Sequence, residues 1–152
     1  MSVEKIIIKE VMKNKRDSLP ILLVGDEEET SIMAYLELGR LFVLTKANVT
    51  IGALVITNSS DDNQIEIENL SIIPEYQKRG YGKYLLQYIC QKYSGKTIIL
   101  GTDEVSGNIQ FYQQAGFEIY KRRKNYFIEH YKRPLYEKGL QLIDKIYLRK
   151  KC

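Results

Sequence analysis

The pattern of hydrophobic and polar residues predicts short strands and helices along the whole chain. The predicted elements are a strand at 5–10, helices at 18–24 and 26–38, strands at 41–46, 49–57 and 64–73, a long helix that ends before Gly95, a strand at 97–101, a helix from Ser106 or Asn108 to Ala115, and strands at 117–121 and 142–148. Because strands and helices do not alternate as in a Rossmann unit, this order predicts an α+β domain built on a mixed sheet.

Two helices carry more specific signals. Asp26 is a predicted N-cap of the second helix, since the three glutamates after it suit a first helical turn. The long helix has an apolar stripe formed by Leu85, Leu86, Ile89, Cys90 and Tyr93. We interpret Cys90 as a small packed hydrophobe of this stripe rather than a reactive thiol.

The composition suits one domain spanning residues 1–152, with 44% hydrophobic and 28% charged residues. No apolar run approaches the roughly 18–20 residues of a membrane span, and the start of the chain does not resemble a secretory signal. We therefore expect a cytoplasmic protein with no membrane partner. Two cysteines and one histidine are too few for a disulfide framework or a Cys/His zinc site, so no metal is expected.

The net charge of +4 is distributed unevenly along the sequence. Residues 117–152 hold eleven Lys and Arg against four Asp and Glu, whereas residues 1–116 hold twelve against fifteen. This basic segment raises the alternative of a nucleic-acid-binding domain. The simpler interpretation is a set of solvated strand ends and a solubilising terminus, because the pI of about 8.9 lies below the range above 9 that is typical of such domains.

The segment 77–82 joins the end of a predicted strand to the start of the long helix. Its two glycines allow a tight turn and close approach of a ligand, and the first amides of a helix point outward with the positive end of the helix dipole. Lys78 and Arg79 add cationic side chains. The segment therefore predicts a phosphate or diphosphate site, with a plain connecting turn as the alternative. Its glycine spacing matches neither the Rossmann fingerprint nor the P-loop.

Residues 70–82, LSIIPEYQKRGYG, resemble the acetyl-CoA-binding motif of the GCN5-related N-acetyltransferase (GNAT) family, Q/R-x-x-G-x-G/A after a strand that ends near a proline. About thirty residues later, 111–117 (FYQQAGF) resembles the F/L-Y-x-x-x-G-F element of the same family. The order of predicted elements agrees with that fold over nearly the whole chain. The C-terminal residues 134–137, 139 and 141–144 resemble those of a bacterial subgroup of such enzymes that has no agreed substrate.

This resemblance implies the acyl-CoA N-acyltransferase fold, with a central sheet of about seven strands splayed between the fourth and fifth and flanked by about four helices. It also implies that acetyl-CoA is the donor. Leu70 and Ile72 would lie at the bulged end of the fourth strand and bind the pantetheine arm through the main chain. The pyrophosphate would be bound, mostly through backbone amides, by Gln77, Lys78, Arg79, Gly80, Tyr81, Gly82 and Lys83. Val105 occupies the position where the family often has an asparagine, so Asn108 is either a CoA ligand or a helix cap.

The resemblance further implies an acid and a base. Acyl transfer to an amine requires the ammonium, with a pKa near 10.4, to lose a proton. Glu66 matches the glutamate that serves as the base in the histone-acetylating branch. Glu68 or a chain of water molecules could serve as the base instead, and both glutamates could also be ordinary polar residues on a solvated sheet face. Tyr112 matches the tyrosine that protonates the CoA thiolate. The alternative roles of Tyr112 are a packed tyrosine of the core and a hydrogen-bond donor to the CoA sulfur that does not transfer its proton.

The expected activity is direct transfer of an acetyl group from acetyl-CoA to a primary amine of a small molecule or protein. The alternatives are a CoA-binding module without turnover and, less favoured, the nucleic-acid-binding domain. The acceptor pocket is expected near the first helices and the loop before the last strand, and its candidate residues are Glu37, Tyr126, Phe127, Glu129, His130, Tyr131, Tyr136, Glu137 and Asp144. The sequence identifies neither the acceptor nor the oligomeric state, and a homodimer stays open.

Overall fold

The computed structural model describes residues 5–152, and its centre is a mixed sheet of seven strands. These strands are β1 (Ile6–Val11), β2 (Arg40–Lys46), β3 (Val49–Asn58), β4 (Gln64–Ile72), β5 (Thr97–Thr102), β6 (Glu118–Arg123) and β9 (Lys145–Lys151). They lie in the order β1-β2-β3-β4-β5-β9-β6, in which β4 and β5 are parallel and the other neighbours antiparallel. A separate small hairpin consists of β7 (Tyr136–Glu137) and β8 (Leu140–Gln141). The seven-stranded mixed sheet confirms the predicted fold class.

Residues 5–152 contain five α-helices. They are α1 (Leu19–Gly25), α2 (Glu29–Leu36), α3 (Tyr81–Lys92), α4 (Asn108–Gln114) and α5 (Tyr126–His130), with single 3-10 turns at Lys15–Ser18 and Pro74–Tyr76. No helix in this part of the chain is long and apolar enough to cross a membrane.

The sheet is buried on both faces, because neighbouring residues of its central strands belong to different cores. In β2, Leu41 and Val43 pack with α1 and α2, whereas Phe42 and Leu44 pack with α3. A strand covered on both faces needs an unbroken apolar run instead of an alternating one. This requirement accounts for the run of four hydrophobic residues at 41–44, all of which are buried.

The strands β4 and β5 pair over only part of their length. Their register runs from Gln64 opposite Thr97 to Ile67 opposite Leu100, and beyond that point β4 pairs with β3 alone. A bulge lies at Glu68, since Ile67 pairs with Ile56 and Asn69 with Val55. Bulges bend a strand and increase its twist. The bulge therefore coincides with the point where the two parallel strands separate.

The C-terminal region differs most from the sequence-based prediction. The last strand covers Lys145–Lys151 rather than 142–148, and α5 and the β7–β8 hairpin occupy a segment expected to be a loop. Leu142 is buried, but its backbone N–H donates to the Leu135 carbonyl at 2.8 Å and not to a strand of the central sheet. Its hydrophobic side chain suggested the start of a strand, but the residue is buried without pairing to the central sheet.

The predicted role of Asp26 as an N-cap of α2 is wrong. Glu28 occupies the N-cap position, and Asp26 is the residue that ends α1. Its carboxylate accepts a hydrogen bond from the Glu28 backbone N–H at 3.2 Å. The helix is consequently shorter than the predicted 26–38, and Leu38 beyond its end is 87% exposed.

Cys90 forms a disulfide with Cys152, with 5.2 Å between the two Cα atoms. The cysteines are 62 residues apart, but β9 brings the end of the chain beside the α3–β5 connection. There the Cys152 N–H donates to the Lys96 carbonyl at 2.9 Å, and the Gly95 N–H donates to the Cys152 carbonyl at 3.1 Å. Cys90 does pack against the core, as expected, but its interpretation as a free packed hydrophobe is wrong.

Candidate active site

A cleft of about 750 Å³ opens where β4 and β5 separate. One wall is β4 with the N-terminal end of α3, and the opposite wall is the end of β5 with α4. The cleft continues past the α1–α2 connection to α5 and the segment after it. A single cavity therefore joins the predicted phosphate loop to the predicted acceptor region.

The phosphate loop forms one end of this cleft. Gly80 is the N-cap of α3 with φ of 89°, and Lys78 also has a left-handed backbone with φ of 61°. The Gln77 side chain donates from Nε2 to the Ile72 carbonyl at 2.8 Å, which ties the loop to the end of β4. Since the first amides of a helix lack partners within the helix, α3 presents donors to an anion at this end of the cleft.

The residues of the loop divide between the cleft and its surroundings. Gln77, Lys78, Gly80 and Gly82 line the cleft, whereas Arg79, Tyr81 and Lys83 do not. Arg79 and Tyr81 both lie against Tyr76, with the guanidinium carbon 5.3 Å and the Tyr81 ring 5.9 Å from the centre of its ring. They therefore hold the base of the loop while its backbone faces the cleft.

The second glycine of the loop serves helix packing. A Cβ atom at Gly82 would lie 3.0 Å from Cζ of Phe111 on α4. Such a contact is tighter than ordinary packing, so the two helices can approach this closely because residue 82 has no side chain. The motif thus combines a glycine for the turn with a glycine for the contact between α3 and α4.

Leu70 and Ile72 line the wall of the cleft on β4. The bulge lies at Glu68, just before these residues rather than among them. Asn69 and Ser71 alternate with them along β4 and form a buried network, in which Ser71 Oγ donates to Asn69 Oδ1 at 2.6 Å and Asn69 Nδ2 donates to the Leu22 carbonyl at 2.9 Å. Ser71 also lines the cleft, so this network fixes the strand that forms the wall.

The two glutamates of β4 occupy different positions. Glu68 lines the cleft and accepts a hydrogen bond from Thr57 Oγ1 at 2.9 Å, whereas Glu66 is not among the lining residues. Burial raises the pKa of Glu66, and the charge of Glu68 raises it further, against the opposing effect of Lys145 and Lys121. Glu68 thus has the better access and Glu66 the pKa better suited to a base.

Tyr112 lies on the α4 wall of the cleft and is 8% exposed. Its ring packs edge-on between Phe111 and Phe117, at centroid distances of 5.1 and 5.7 Å. Burial raises the pKa of its hydroxyl, so Tyr112 stays neutral at physiological pH. Among residues 5–152 the hydroxyl has no hydrogen-bond partner, which leaves it available to a ligand in the cleft.

Asn108 is the first residue of α4 and lines the cleft, but it does not cap the helix. Gly107 is the N-cap, and Asn108 Nδ2 donates to Thr102 Oγ1 at 3.4 Å. The turn before α4 is organised by the buried Asp103, whose Oδ1 accepts from the backbone N–H groups of Val105 and Ser106 at 2.7 and 2.6 Å. Sequence reasoning missed Asp103.

The far end of the cleft contains only part of the predicted acceptor set. Tyr126, Phe127, His130, Tyr131 and Glu137 line it, whereas Glu37, Glu129, Tyr136 and Asp144 do not. Asp144 has a different role, because its carboxylate accepts from Arg122 at 2.7 Å and from the Asn125 backbone N–H at 2.9 Å. It fixes the start of α5 instead of facing the cleft.

The carboxylates that face this end come mainly from elsewhere in the chain. Asp26, Glu27 and Glu68 line it together with Glu137. Asp26 accepts hydrogen bonds from the hydroxyls of Tyr35 and Tyr131, at 3.2 and 3.3 Å. Asp26 and Tyr131 are 105 residues apart, so no local sequence signal could have shown this contact.

Comparisons with known proteins agree with this geometry. The model of the acetyltransferase (GNAT) domain family matches residues 37–119, more than half of the chain. The uncharacterized N-acetyltransferase YvbK of Bacillus subtilis (strain 168) is 26% identical over 152 residues, which are 97% of this chain and 97% of that protein. N-alpha-acetyltransferase 50 of Danio rerio is 31% identical over 100 residues, 60% of each chain.

Solved structures show the same fold. A GNAT family acetyltransferase from Elizabethkingia anophelis with acetyl-CoA bound has a TM-score of 0.90 and 29% identity, and the match covers 97% of this chain and 98% of that chain. The IAA acetyltransferase from Bacillus cereus ATCC 14579 has a TM-score of 0.88 and 26% identity over 97% and 100%. The fold and cleft define an acyltransferase class, and this chain belongs to the GNAT acetyltransferase family.

Proposed function

We propose that this protein transfers an acetyl group from acetyl-CoA directly to a primary amine. The observation that carries the proposal is the single cleft that runs from the phosphate loop of α3, through the opening between β4 and β5, to an acidic and aromatic end at α5. A donor at one end and an acceptor at the other would meet where β4 is bulged. Family membership and the acetyl-CoA bound to the Elizabethkingia relative support the same reading.

The proposed donor site uses backbone groups more than side chains. The amides of residues 77–82 bind the pyrophosphate, with Lys78, Arg79 and Lys83 adding positive charge near it. The main chain of Leu70 and Ile72 binds the pantetheine arm and stabilises negative charge that develops on the thioester oxygen. Gln77 and Tyr81 hold the loop, and Asn108 faces the cofactor from the opposite wall.

The proposed reaction begins with loss of a proton from the acceptor ammonium to a carboxylate of β4. The free amine attacks the thioester carbon, a C–N bond forms, and the C–S bond breaks with release of the CoA thiolate. The nitrogen loses its second proton as the amide forms, and this proton passes through solvent to the thiolate, so that CoA leaves as the thiol. Tyr112 donates a hydrogen bond to this sulfur. Because burial raises the pKa of Tyr112, hydrogen bonding suits it better than full transfer of its proton, which is uphill already at the ordinary values of about 10 for tyrosine and 8.5 for a thiol.

Both glutamates of β4 are candidates for the base. The match to the histone-acetylating branch and the raised pKa favour Glu66. Placement on the cleft wall favours Glu68 for direct contact with the amine. Glu66 would act through a bridging water, because it lies outside the lining of the cleft.

Isothermal titration calorimetry with acetyl-CoA and a thiol-release assay over a panel of amines test the proposal. We expect acetyl-CoA to bind at tens of micromolar or tighter and at least one amine to release CoA faster than water does. Binding without turnover on any amine would support the CoA-binding module instead. Absence of binding would contradict the donor site itself and return the basic C-terminal segment to consideration as a nucleic-acid surface.

The bacterial relatives support a bacterial setting for this activity. A cytoplasmic location is part of the proposal too, although the Cys90–Cys152 disulfide argues against it, because cytosolic thiols are usually kept reduced.

A further inference from the structure

Lys145 places a positive charge in the acceptor end of the cleft. It is the first residue of β9, and its side chain crosses the end of β5 directly over Gly101. A Cβ atom at residue 101 would overlap Cε of Lys145 and lie 2.9 Å from Cδ. The lysine side chain can take this path only because residue 101 is a glycine, which leaves space for its methylene groups.

The Lys145 ammonium lies among aromatic rings. Its Nζ lies 4.2 Å from the centre of the Tyr126 ring and 5.1 Å from that of Tyr147, and Tyr126 in turn stacks on His130 at 4.6 Å. No carboxylate of residues 5–152 lies within ion-pair distance of 4.0 Å. A cation that packs against rings and has no carboxylate within ion-pair distance can pair with an anion that enters the cleft.

The charge of Lys145 persists at physiological pH. Burial lowers its pKa, but Tyr126, Tyr147 and Glu66 outweigh this effect, and the pKa is raised overall. The same end of the cleft also presents the carboxylates of Asp26, Glu68 and Glu137. The acceptor end therefore offers both signs of charge, with the negative groups suited to an ammonium.

We propose that Lys145 binds an anionic group of the acceptor, so that the preferred acceptor carries both a primary amine and an acidic group, as an amino acid does. This inference rests on the proposed function and narrows its substrate class. It disfavours polyamines and other acceptors with positive charges only, because their second cation would meet the Lys145 ammonium. Leu135, Leu142 and the aromatic rings of the same end favour an apolar side chain on such an acceptor.

The test compares leucine with leucinamide, which differ only in the acidic group, as acceptors in the thiol-release assay. A carboxamide lowers the pKa of the neighbouring amine, so the informative quantity is the ratio of kcat/KM for the two acceptors, compared between the wild type and Lys145→Met. The intrinsic difference in amine basicity cancels in this comparison. We expect Lys145→Met to lower the leucine-to-leucinamide ratio by about tenfold or more, mainly through KM for leucine. The aminophosphonate analogue of leucine then separates a carboxylate preference from a general preference for anions.

Two further variants separate binding from other roles of the lysine. Lys121→Met is the matched control, because the Lys121 Nζ is also 5.1 Å from the centre of the Tyr147 ring and its charge also lowers the pKa of Glu66, but it does not line the cleft. We expect it to keep the wild-type ratio. Gly101→Ala retains the lysine and displaces its flexible end, so it should lower the ratio as Lys145→Met does.

Three results would overturn this inference. If Lys145→Met lowers kcat/KM for leucine and for leucinamide by the same factor and shifts the pH profile, the lysine acts through the glutamates and not on the acceptor. If the wild type acetylates only amines without an acidic group, the inference fails although the proposed function stands. If the wild type acetylates no amine at all, both fail, and acetyl-CoA binding measured separately shows whether the donor site survives.

Discussion

At the scale of single residues, Glu66 and Glu68 divide the properties that a general base needs. Glu68 reaches the cleft, and Glu66 has the raised pKa. We expect Glu68→Gln to lower kcat by about 100-fold or more and Glu66→Gln by less than tenfold, because Glu68 lines the cleft and can contact the amine directly, whereas Glu66 does not line it. Steady-state kinetics at saturating acetyl-CoA, with circular dichroism to verify folding, makes this comparison.

The pH dependence distinguishes the two glutamates independently. A base must be ionised, so kcat/KM falls as the pH decreases through its pKa in the free enzyme. If Glu66 is the base, the acid limb lies above the ordinary glutamate value of 4.5, because its pKa is raised. An acid limb that disappears in Glu66→Gln but persists in Glu68→Gln would reverse our assignment.

Tyr112→Phe is expected to lower kcat by about 10- to 100-fold with little change in protein stability. The hydroxyl has no partner among residues 5–152, so its removal breaks no hydrogen bond of the folded chain, whereas the CoA sulfur loses a donor. Single-turnover thiol release measures the first effect and urea denaturation the second. Tyr120→Phe, outside the cleft, is the control. A stability loss above about 2 kcal/mol in Tyr112→Phe would instead indicate a structural role.

At the scale of elements, the loop before α3 combines a left-handed backbone at Gly80 with an exposed position. Gly80 has φ of 89° and no atom within 4 Å of a Cβ position. Gly95, after the same helix, has the same φ and the same open surroundings but lies outside the cleft. The two glycines form a matched pair, in which only Gly80 adjoins the proposed pyrophosphate site.

We expect Gly80→Ala and Gly95→Ala to lower the free energy of unfolding by similar amounts, about 1–2 kcal/mol, because a left-handed backbone disfavours any Cβ. Only Gly80→Ala should weaken acetyl-CoA binding, by about tenfold, since it turns the first amides of α3 away from the phosphates. Urea denaturation and calorimetry on both variants provide the two readouts. Equal affinity losses in the two proteins would mean that the effect is not local to the loop.

The elements that the sequence predicted well are those whose signals are local. The bounds of β3 and β4 agree with the predictions within a residue or so, because turn-forming residues and Pro74 delimit them. The loop at 77–82 before α3 was predictable for the same reason, as its glycines and basic residues lie within six positions; its binding of phosphate stays a prediction. Two other features depend on contacts between distant segments, namely Lys145 over Gly101 and Asp26 beside Tyr131. No local sequence pattern indicates these contacts.

The proposed acceptor end of the cleft illustrates a second cause of error. Asp144 and Glu137 are both acidic residues near the last strand, and their sequence context does not distinguish them. In the structure Asp144 is used to anchor Asn125 and Arg122, whereas Glu137 faces the cleft. Charge alone therefore predicted the character of this end but not which residues supply it.

At the scale of the whole molecule, the disulfide connects the far end of α3 to the last residue of the chain. Neither cysteine lines the cleft, so the bond supports the scaffold and not the reacting groups. Because the cysteines are 62 positions apart in the sequence, the bond removes a large amount of conformational freedom from the unfolded chain. Its effect should consequently appear in stability and not in substrate binding.

Cys152→Ser is expected to lower the free energy of unfolding by about 2–4 kcal/mol under non-reducing conditions, while acetyl-CoA affinity at low temperature changes by less than twofold. Cys152 is the better site for the substitution, because Cys90 also packs against the core and its replacement would mix two effects. Dithiothreitol should bring the wild type to the stability of the variant and leave the variant unchanged, as urea denaturation with and without the reductant will show. Titration of free thiols in the native wild type should find none. Two reactive thiols, together with equal stability of both proteins, would mean that the bond does not form in solution and that the end of β9 is held by its backbone hydrogen bonds alone.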